Sequence, residues 1–272
     1  MQGSEKDNEI SASGNTYNME ARIYDSRTMH PWAIDQKAHE YPSQSPYAMF
    51  NGNPIFFNDP TGQSGEATID KKSKTITVKQ HLVFYGGKAE TKLSNKIATG
   101  IASQWNAAHG KVTIDGVQYK VNFKVTYETV STEDAIKMAS ANGNNAKNNF
   151  IRVEDGVGSS RTQVGGNAAW YNTDDDIGGS TTPAHEIGHG LGLAVHTVSG
   201  QTAEDRPDIM TARGEQVNPR WSKEGPSNEI DPNFRQVTKG NVKDTFKGVK
   251  FDKNGKANIG RATNKIFTKD GK

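Results

Sequence analysis

The sequence predicts an α+β protein, a mixed sheet backed by helices, and three local patterns carry that expectation. Thr75 to Tyr85 is β-branched and aromatic and stops at Gly86-Gly87, which reads as a strand. Leu93, Ile97, Ile101 and Trp105 recur every four residues, the spacing of an amphipathic helix running to about Ala108. Val112 to Ile114 and Val117 to Val130 flank Asp115-Gly116, a dipeptide suited to hairpin turns because both positions accept positive φ. Strand, helix and paired strands in that order indicate a sheet with helices laid on it.

The remaining elements follow along the chain. Ser131-Thr132-Glu133-Asp134 can cap a short helix through about Ala141. Asn142 to Asn149 reads as a polar loop, Phe150 to Val153 as a strand, and Gly165 to Tyr171 as one more extended segment. No internal repeat is evident. Residues 1–65 differ in kind: Pro31, Pro42, Pro46, Pro54 and Pro60 punctuate Trp32, Tyr41, Tyr47, Phe50, Phe56 and Phe57. Runs between those prolines are too short for a helix, and a segment of this size struggles to bury an independent core. It reads as an irregular piece of something larger, with a second domain over 66–272 whose last stretch, 219–272, forms a C-terminal extension.

Composition narrows the function. Lys and Arg number 33 against 31 Asp and Glu, so the near-balanced charge gives no electrostatic case for nucleic acid or an anionic membrane. A hydrophobic fraction of 32% with 28 glycines indicates a loop-rich domain with a modest core. The chain has no cysteine, so any metal must be held by His, Asp or Glu. The polar N-terminus and the lack of an 18-residue apolar run predict neither signal peptide nor membrane span. Export would then need another carrier.

The chemistry concentrates in Thr181-Thr182-Pro183-Ala184-His185-Glu186-Ile187-Gly188-His189. Thr-Thr-Pro offers a capping hydroxyl and a proline suited to a first helical turn. Residues four apart share a helix face, so His185 and His189 can direct both imidazoles at one zinc ion. Glu186, one position along, lies near the metal and can take a proton from its water. The expected activity is hydrolysis of peptide bonds by a zinc-activated water, with Glu186 as general base and a protein or peptide as substrate. Zinc needs a third protein ligand while keeping a position for water.

The stretch from His185 resembles the metzincin signature, His-Glu-x-x-His-x-x-Gly-x-x-His, in which a glycine turn ends the helix and brings back a last histidine. Gly192 stands at the glycine position; position 195 is valine, and His196 comes one residue late. The resemblance implies a metzincin-like zincin fold with His196 as third ligand, Glu204, Asp205 and Asp208 being the substitutes. Asp208-Ile209-Met210-Thr211 resembles the metzincin Met-turn, which implies that Met210 packs beneath the metal. A tyrosine sometimes follows that turn as a transition-state donor; here Thr211-Ala212-Arg213 follows, leaving Tyr171 and Arg213 as candidates. Gly166 to Tyr171 is either a substrate-pairing edge strand or a structural one.

A second resemblance covers the first domain. Ala21-Arg22-Ile23-Tyr24-Asp25-Ser26-Arg27, then Tyr41-Pro42-Ser43-Gln44-Ser45-Pro46-Tyr47, Asn53-Pro54-Ile55 and Asp59-Pro60-Thr61-Gly62 resemble the end of an RHS-repeat core. In RHS polymorphic toxins this segment closes a shell and a variable toxin domain follows. The resemblance implies a parent protein with an RHS shell, delivery by a specialised secretion system, action in a target cell and a cognate immunity protein. Asp35 and Asp59 match two aspartates that serve self-cleavage in some members, although Gln36 stands where the family usually has proline; as turn residues they need no such role. Two other readings remain: a nuclease, common among RHS toxin domains, and a non-catalytic module in which zinc is structural. Asp252 to Lys256 hints at a calcium loop, but a plain hairpin turn suits its basic residues better.

Overall fold

A computed structural model of the chain describes residues 5–7, 16–18, 23–25, 30–31, 65–141, 147–193, 205–223, 228–260 and 266–271. The chain divides into two compact units, Met1–Pro60 and Thr61–Lys272. In the first, β1 (Glu5–Asp7), β2 (Thr16–Asn18), β3 (Ile23–Asp25) and β4 (His30–Pro31) pair in sequence order as an antiparallel sheet. From sequence this region reads as irregular; strands of two or three residues are too short to leave a periodic signature. Asp35 and Asp59 lie outside the described residues.

The second unit is α+β. Its sheet comprises β5 (Gly65–Asp70), β6 (Thr75–Tyr85), β7 (Lys111–Ile114), β8 (Val117–Thr129), β9 (Asn148–Glu154), β10 (Arg161–Thr162), β11 (Ala168–Asn172) and β12 (Lys256–Ile259). β6 is the spine. One of its edges runs parallel to β8; the other takes β5 antiparallel along Thr75 to Lys79 and β9 parallel along His81 to Tyr85. Beyond β9 come β11, parallel, and β10, antiparallel, which ends the sheet on that side. Among the described residues four α-helices accompany it: α1 (Thr91–Ala107), α2 (Thr132–Ala141), α3 (Thr182–Gly190) and α4 (Lys239–Asp244).

Leu82, Val83, Phe84 and Tyr85 are all fully buried because the parallel centre of the sheet is covered on both faces. Ile76, Val78, Leu82 and Phe84 join the main core with Ile97, Ile101 and Trp105 of α1; Val83 and Tyr85 meet Ala135 and Ala139 of α2. Trp105 stacks obliquely on Phe123, ring centroids 5.0 Å apart. Its indole N–H donates to the Ala184 carbonyl at 3.2 Å, so the sheet's main helix grips α3 directly.

Local chemistry accounts for the turns. Asp115 and Gly116 have φ of 49° and 78°, the two left-handed positions of a type I′ hairpin. Ser131 Oγ accepts from the Asp134 amide at 3.1 Å and donates to the Asp134 carboxylate at 2.8 Å, a reciprocal cap for α2. Asp252 Oδ1 accepts from the Asn254 and Lys256 amides, a hairpin turn leading into β12. β12 pairs with β5, and the Phe267 and Lys269 carbonyls accept from the Tyr85 hydroxyl and the Trp170 indole. The C-terminal stretch is thus part of the domain's structure.

Replacing Trp105 by Phe removes the bond to Ala184 and some ring volume from a sealed site. The expected loss is about 1–3 kcal/mol in urea unfolding, and a loss under about 0.5 kcal/mol would show that α1 does not anchor α3.

Candidate metal centre

Every residue of α3 is buried, so this helix is a core element that carries polar side chains, and each of those needs a reason to be there. Pro183 sits in its first turn as the sequence predicts. The cap differs: the Thr181 side chain makes no capping bond, and its hydroxyl donates instead to the Pro232 carbonyl. Ser180 Oγ receives the Thr182 amide at 3.2 Å. At the other end Gly192 takes φ 94°, with its amide on His189 O at 2.9 Å and the Leu193 amide on Gly188 O at 3.0 Å. That paired pattern is a Schellman stop, which ends the helix.

His185 and His189 are 6% and 7% exposed, with ring centroids 4.8 Å apart and planes at 87°. His185 Nδ1 lies 2.6 Å from the Ile209 carbonyl, and His189 Nδ1 lies 2.8 Å from the Leu193 carbonyl. A carbonyl oxygen only accepts, so each Nδ1 carries the proton, and in the neutral form of either ring the lone pair lies on Nε2. Backbone carbonyls that fix the tautomer in this way are the usual outer partners of metal-binding histidines. The donor set fits a zinc ion on this ground.

Met210 lies beneath the helix. A Cβ added to Gly188, between the two histidines, would come 2.5 Å from Met210 Sδ, so the thioether occupies the space that the missing side chain leaves. Met210 is buried in the main core, and its amide donates to Asp208 Oδ1 at 2.8 Å. Asp208 also accepts from Asn241 Nδ2 at 3.0 Å and Thr238 Oγ1 at 3.3 Å, so its carboxylate serves the turn. Among the described residues no group of three His, Asp or Glu side chains forms around His185 and His189. His196 and Glu204 lie outside the described residues.

Glu186 is 5% exposed, and its Oε2 has no hydrogen-bond partner. Burial raises its pKa from 4.5 to about 8, against weaker downward pulls from Thr162, Arg235 and Arg213. Thr162 faces the carboxyl without the geometry of a hydrogen bond, its own hydroxyl being unpartnered too. A cleft of about 380 Å³ opens over these groups, lined by His185, Glu186 and His189, by Ser159 to Thr162 around β10, and by Arg213 and Arg235. Among the described residues of that lining, Glu186 is the only carboxylate.

Two sequence candidates fall elsewhere. Tyr171 is fully buried, its hydroxyl donating to Pro183 O at 3.4 Å, and it does not line the cleft. Ala168 to Asn172 form β11, flanked by β9 and β10, so the stretch read from sequence as a possible edge is interior; the edge is β10. Arg213 does line the cleft, but its Nη1 is bound to Asp175 Oδ1 at 2.5 Å. Arg235 and Thr162 carry no motif and are found only through the fold. No protein-family model matches this chain, and no curated protein or solved structure is significantly similar to it.

Gly188→Ala pushes a methyl group into Met210. The expected effect is a loss of about 1–3 kcal/mol with a shift of the histidines, read as a lower melting temperature and weaker zinc affinity by calorimetry; an unchanged melting temperature would contradict the packing. For Glu186 the sign follows from its raised pKa. The folded metal-free protein holds a proton that the unfolded chain releases near pH 4.5, so stability is full below that pH and falls as pH rises through about 8. In chelator-treated protein Glu186→Gln should therefore melt progressively above wild type across this window. A constant difference between the two melting curves would refute it.

Proposed function

We propose that this chain is a zinc-dependent endopeptidase with a metzincin-like domain over 66–272, acting as the toxin domain of an RHS-type effector. The observation that carries the catalytic part is the pair of Nδ1–H donations from His185 and His189 to Ile209 and Leu193, beside the unpartnered Glu186 carboxyl in one cleft. Supporting it are Met210 under Gly188, the glycine stop at Gly192, and an antiparallel strand ending the sheet at the cleft. The effector part rests on the resemblance of residues 21–62 to an RHS-core end. It brings with it the RHS shell of a parent protein, delivery by that parent, and a cognate immunity protein.

His185 and His189 would hold the ion, with His196 as the third ligand. A zinc ion there supplies Lewis acidity, polarising a carbonyl and acidifying water. Glu186, the only carboxylate among the described lining residues, takes the proton of the attacking water and delivers it to the leaving amine. Its burial favours the protonated form, which suits the second of those transfers. β10 offers backbone groups along the cleft to an extended peptide.

Wild type, Glu186→Ala, His185→Ala and His189→Ala expressed in a bacterial host, followed by detection of new protein termini and zinc analysis, test this. Glu186→Ala should keep zinc and lose about 10²–10⁴-fold in cleavage rate, while both histidine variants lose tightly bound zinc. Proteolysis retained in Glu186→Ala would remove the role of that residue. Plasmid degradation without new protein termini would favour the nuclease.

A further inference from the structure

Arg235 is 2% exposed, and among the described residues its guanidinium forms no hydrogen bond and no ion pair. Its Nε is sealed from solvent without an acceptor. Burial lowers its pKa from 12.5 to about 10, so it stays a cation at neutral pH. A buried cation without a counter-ion is costly to the fold, and such a group is normally paired.

Its backbone is held on several sides. The preceding turn, Pro232–Phe234, receives the Thr181 hydroxyl at the start of α3 and Arg206 Nε on Phe234 O at 2.8 Å. The next amide, of Gln236, donates to Pro207 O at 2.9 Å, which fastens the segment to the strand of chain leading into Met210. The same segment supplies Ile209 O to His185. Arg235 is therefore fixed to the framework that positions the histidines, and it lines their cleft.

Glu186 and Arg235 line one cleft, and each has a buried side-chain atom without a hydrogen-bond partner, Glu186 Oε2 and Arg235 Nε. An occupant that satisfies both must present an O–H to the first and a negative oxygen to the second. A peptide carbonyl undergoing hydration does so. We propose that Arg235 is a catalytic residue that donates to the carbonyl oxygen of the scissile peptide as that oxygen becomes an oxyanion; this rests on the peptidase reading above.

The step balances. A water O–H bond breaks and its proton goes to Glu186, the water oxygen bonds the carbonyl carbon, and the C=O π pair moves onto the oxygen facing Arg235. Collapse of that oxyanion breaks the C–N bond, and the Glu186 proton passes to the leaving nitrogen. Negative charge thus moves from Glu186 to the substrate oxygen within the field of one guanidinium. A permanent carboxylate on the substrate would instead set two negative charges in that dry space while Glu186 is ionised, which disfavours a ground-state anion site.

The test uses wild type, Arg235→Met, Arg235→Lys and Glu186→Gln in the full chain, with fluorescein-labelled casein as probe. Arg235→Met should keep its zinc content, lose about 10²–10³-fold in kcat with KM within threefold, and recover part of the loss in guanidinium chloride at non-denaturing concentration. Arg235→Lys should fall between. Removing an unpaired buried charge should also raise the melting temperature of the chelator-treated protein by roughly 2–4 °C, whereas a structural arginine would lower it. A kcat within threefold of wild type, a rise in KM alone, or a lower melting temperature would each overturn the assignment. Wild type and Glu186→Gln equally inactive would overturn the peptidase reading itself; active wild type, inactive Glu186→Gln and active Arg235→Met would overturn Arg235 alone.

Discussion

The short contact between His185 Nδ1 and the Ile209 carbonyl is the joint on which the site depends. It joins a buried helix to a chain segment more than twenty residues later, through Nδ1 and not Nε2. Without it the ring could flip or change tautomer, and the second nitrogen would have no defined direction. The Leu193 carbonyl does the same for His189, but that partner comes from the helix's own glycine stop. One histidine is oriented locally and the other by tertiary structure. The Ile209–Met210 segment thus has two roles, accepting from the ring above and filling the space under Gly188.

Burial of α3 sets the electrostatics. A helix exposed on one face could carry Glu186 at little cost; here the carboxyl is enclosed and its pKa rises to about 8. The neighbouring arginines divide the work of neutralising that region unequally. Arg213 is bound to Asp175, whose carboxyl is depressed because the bonds from Arg213 and Ser160 outweigh the raising effect of burial. Among the described residues Arg235 has no such partner. One arginine completes the wall, the other faces the cleft with its charge unspent.

Much of this was legible in the sequence, for identifiable reasons. β6, α1, the β7–β8 hairpin and α2 announce themselves because their periods, caps and turn residues are local. His185, Glu186 and His189 were legible because four-residue helical spacing alone brings the histidines to one face. β5, β10 and β12 were not: two are short, and β12 depends on pairing with β5 from the far end of the chain. Gly166 to Tyr171 reads from sequence as either an edge or a structural strand, because an extended run cannot say which neighbour it lacks; pairing with β9 and β10 makes Ala168 to Asn172 interior. Thr181 looked like a cap, yet a nearby carbonyl from Pro232 competes successfully for its hydroxyl.

Arg235 shows why a stretch with no motif can still complete a site. Its side chain reaches the cleft only because Gln236 is bonded to Pro207 and the Pro232 turn to Thr181, contacts spanning 29 and 51 positions. No window of sequence contains both partners of either bond. The tail therefore acts as a strap whose role is set by where it is fastened. The motif helix brings two imidazoles and a carboxyl; the strap brings a positive charge that those residues lack. A cleft assembled this way depends on the fold closing completely, since a loosened strap would take the guanidinium away from Glu186 while leaving both histidines in place.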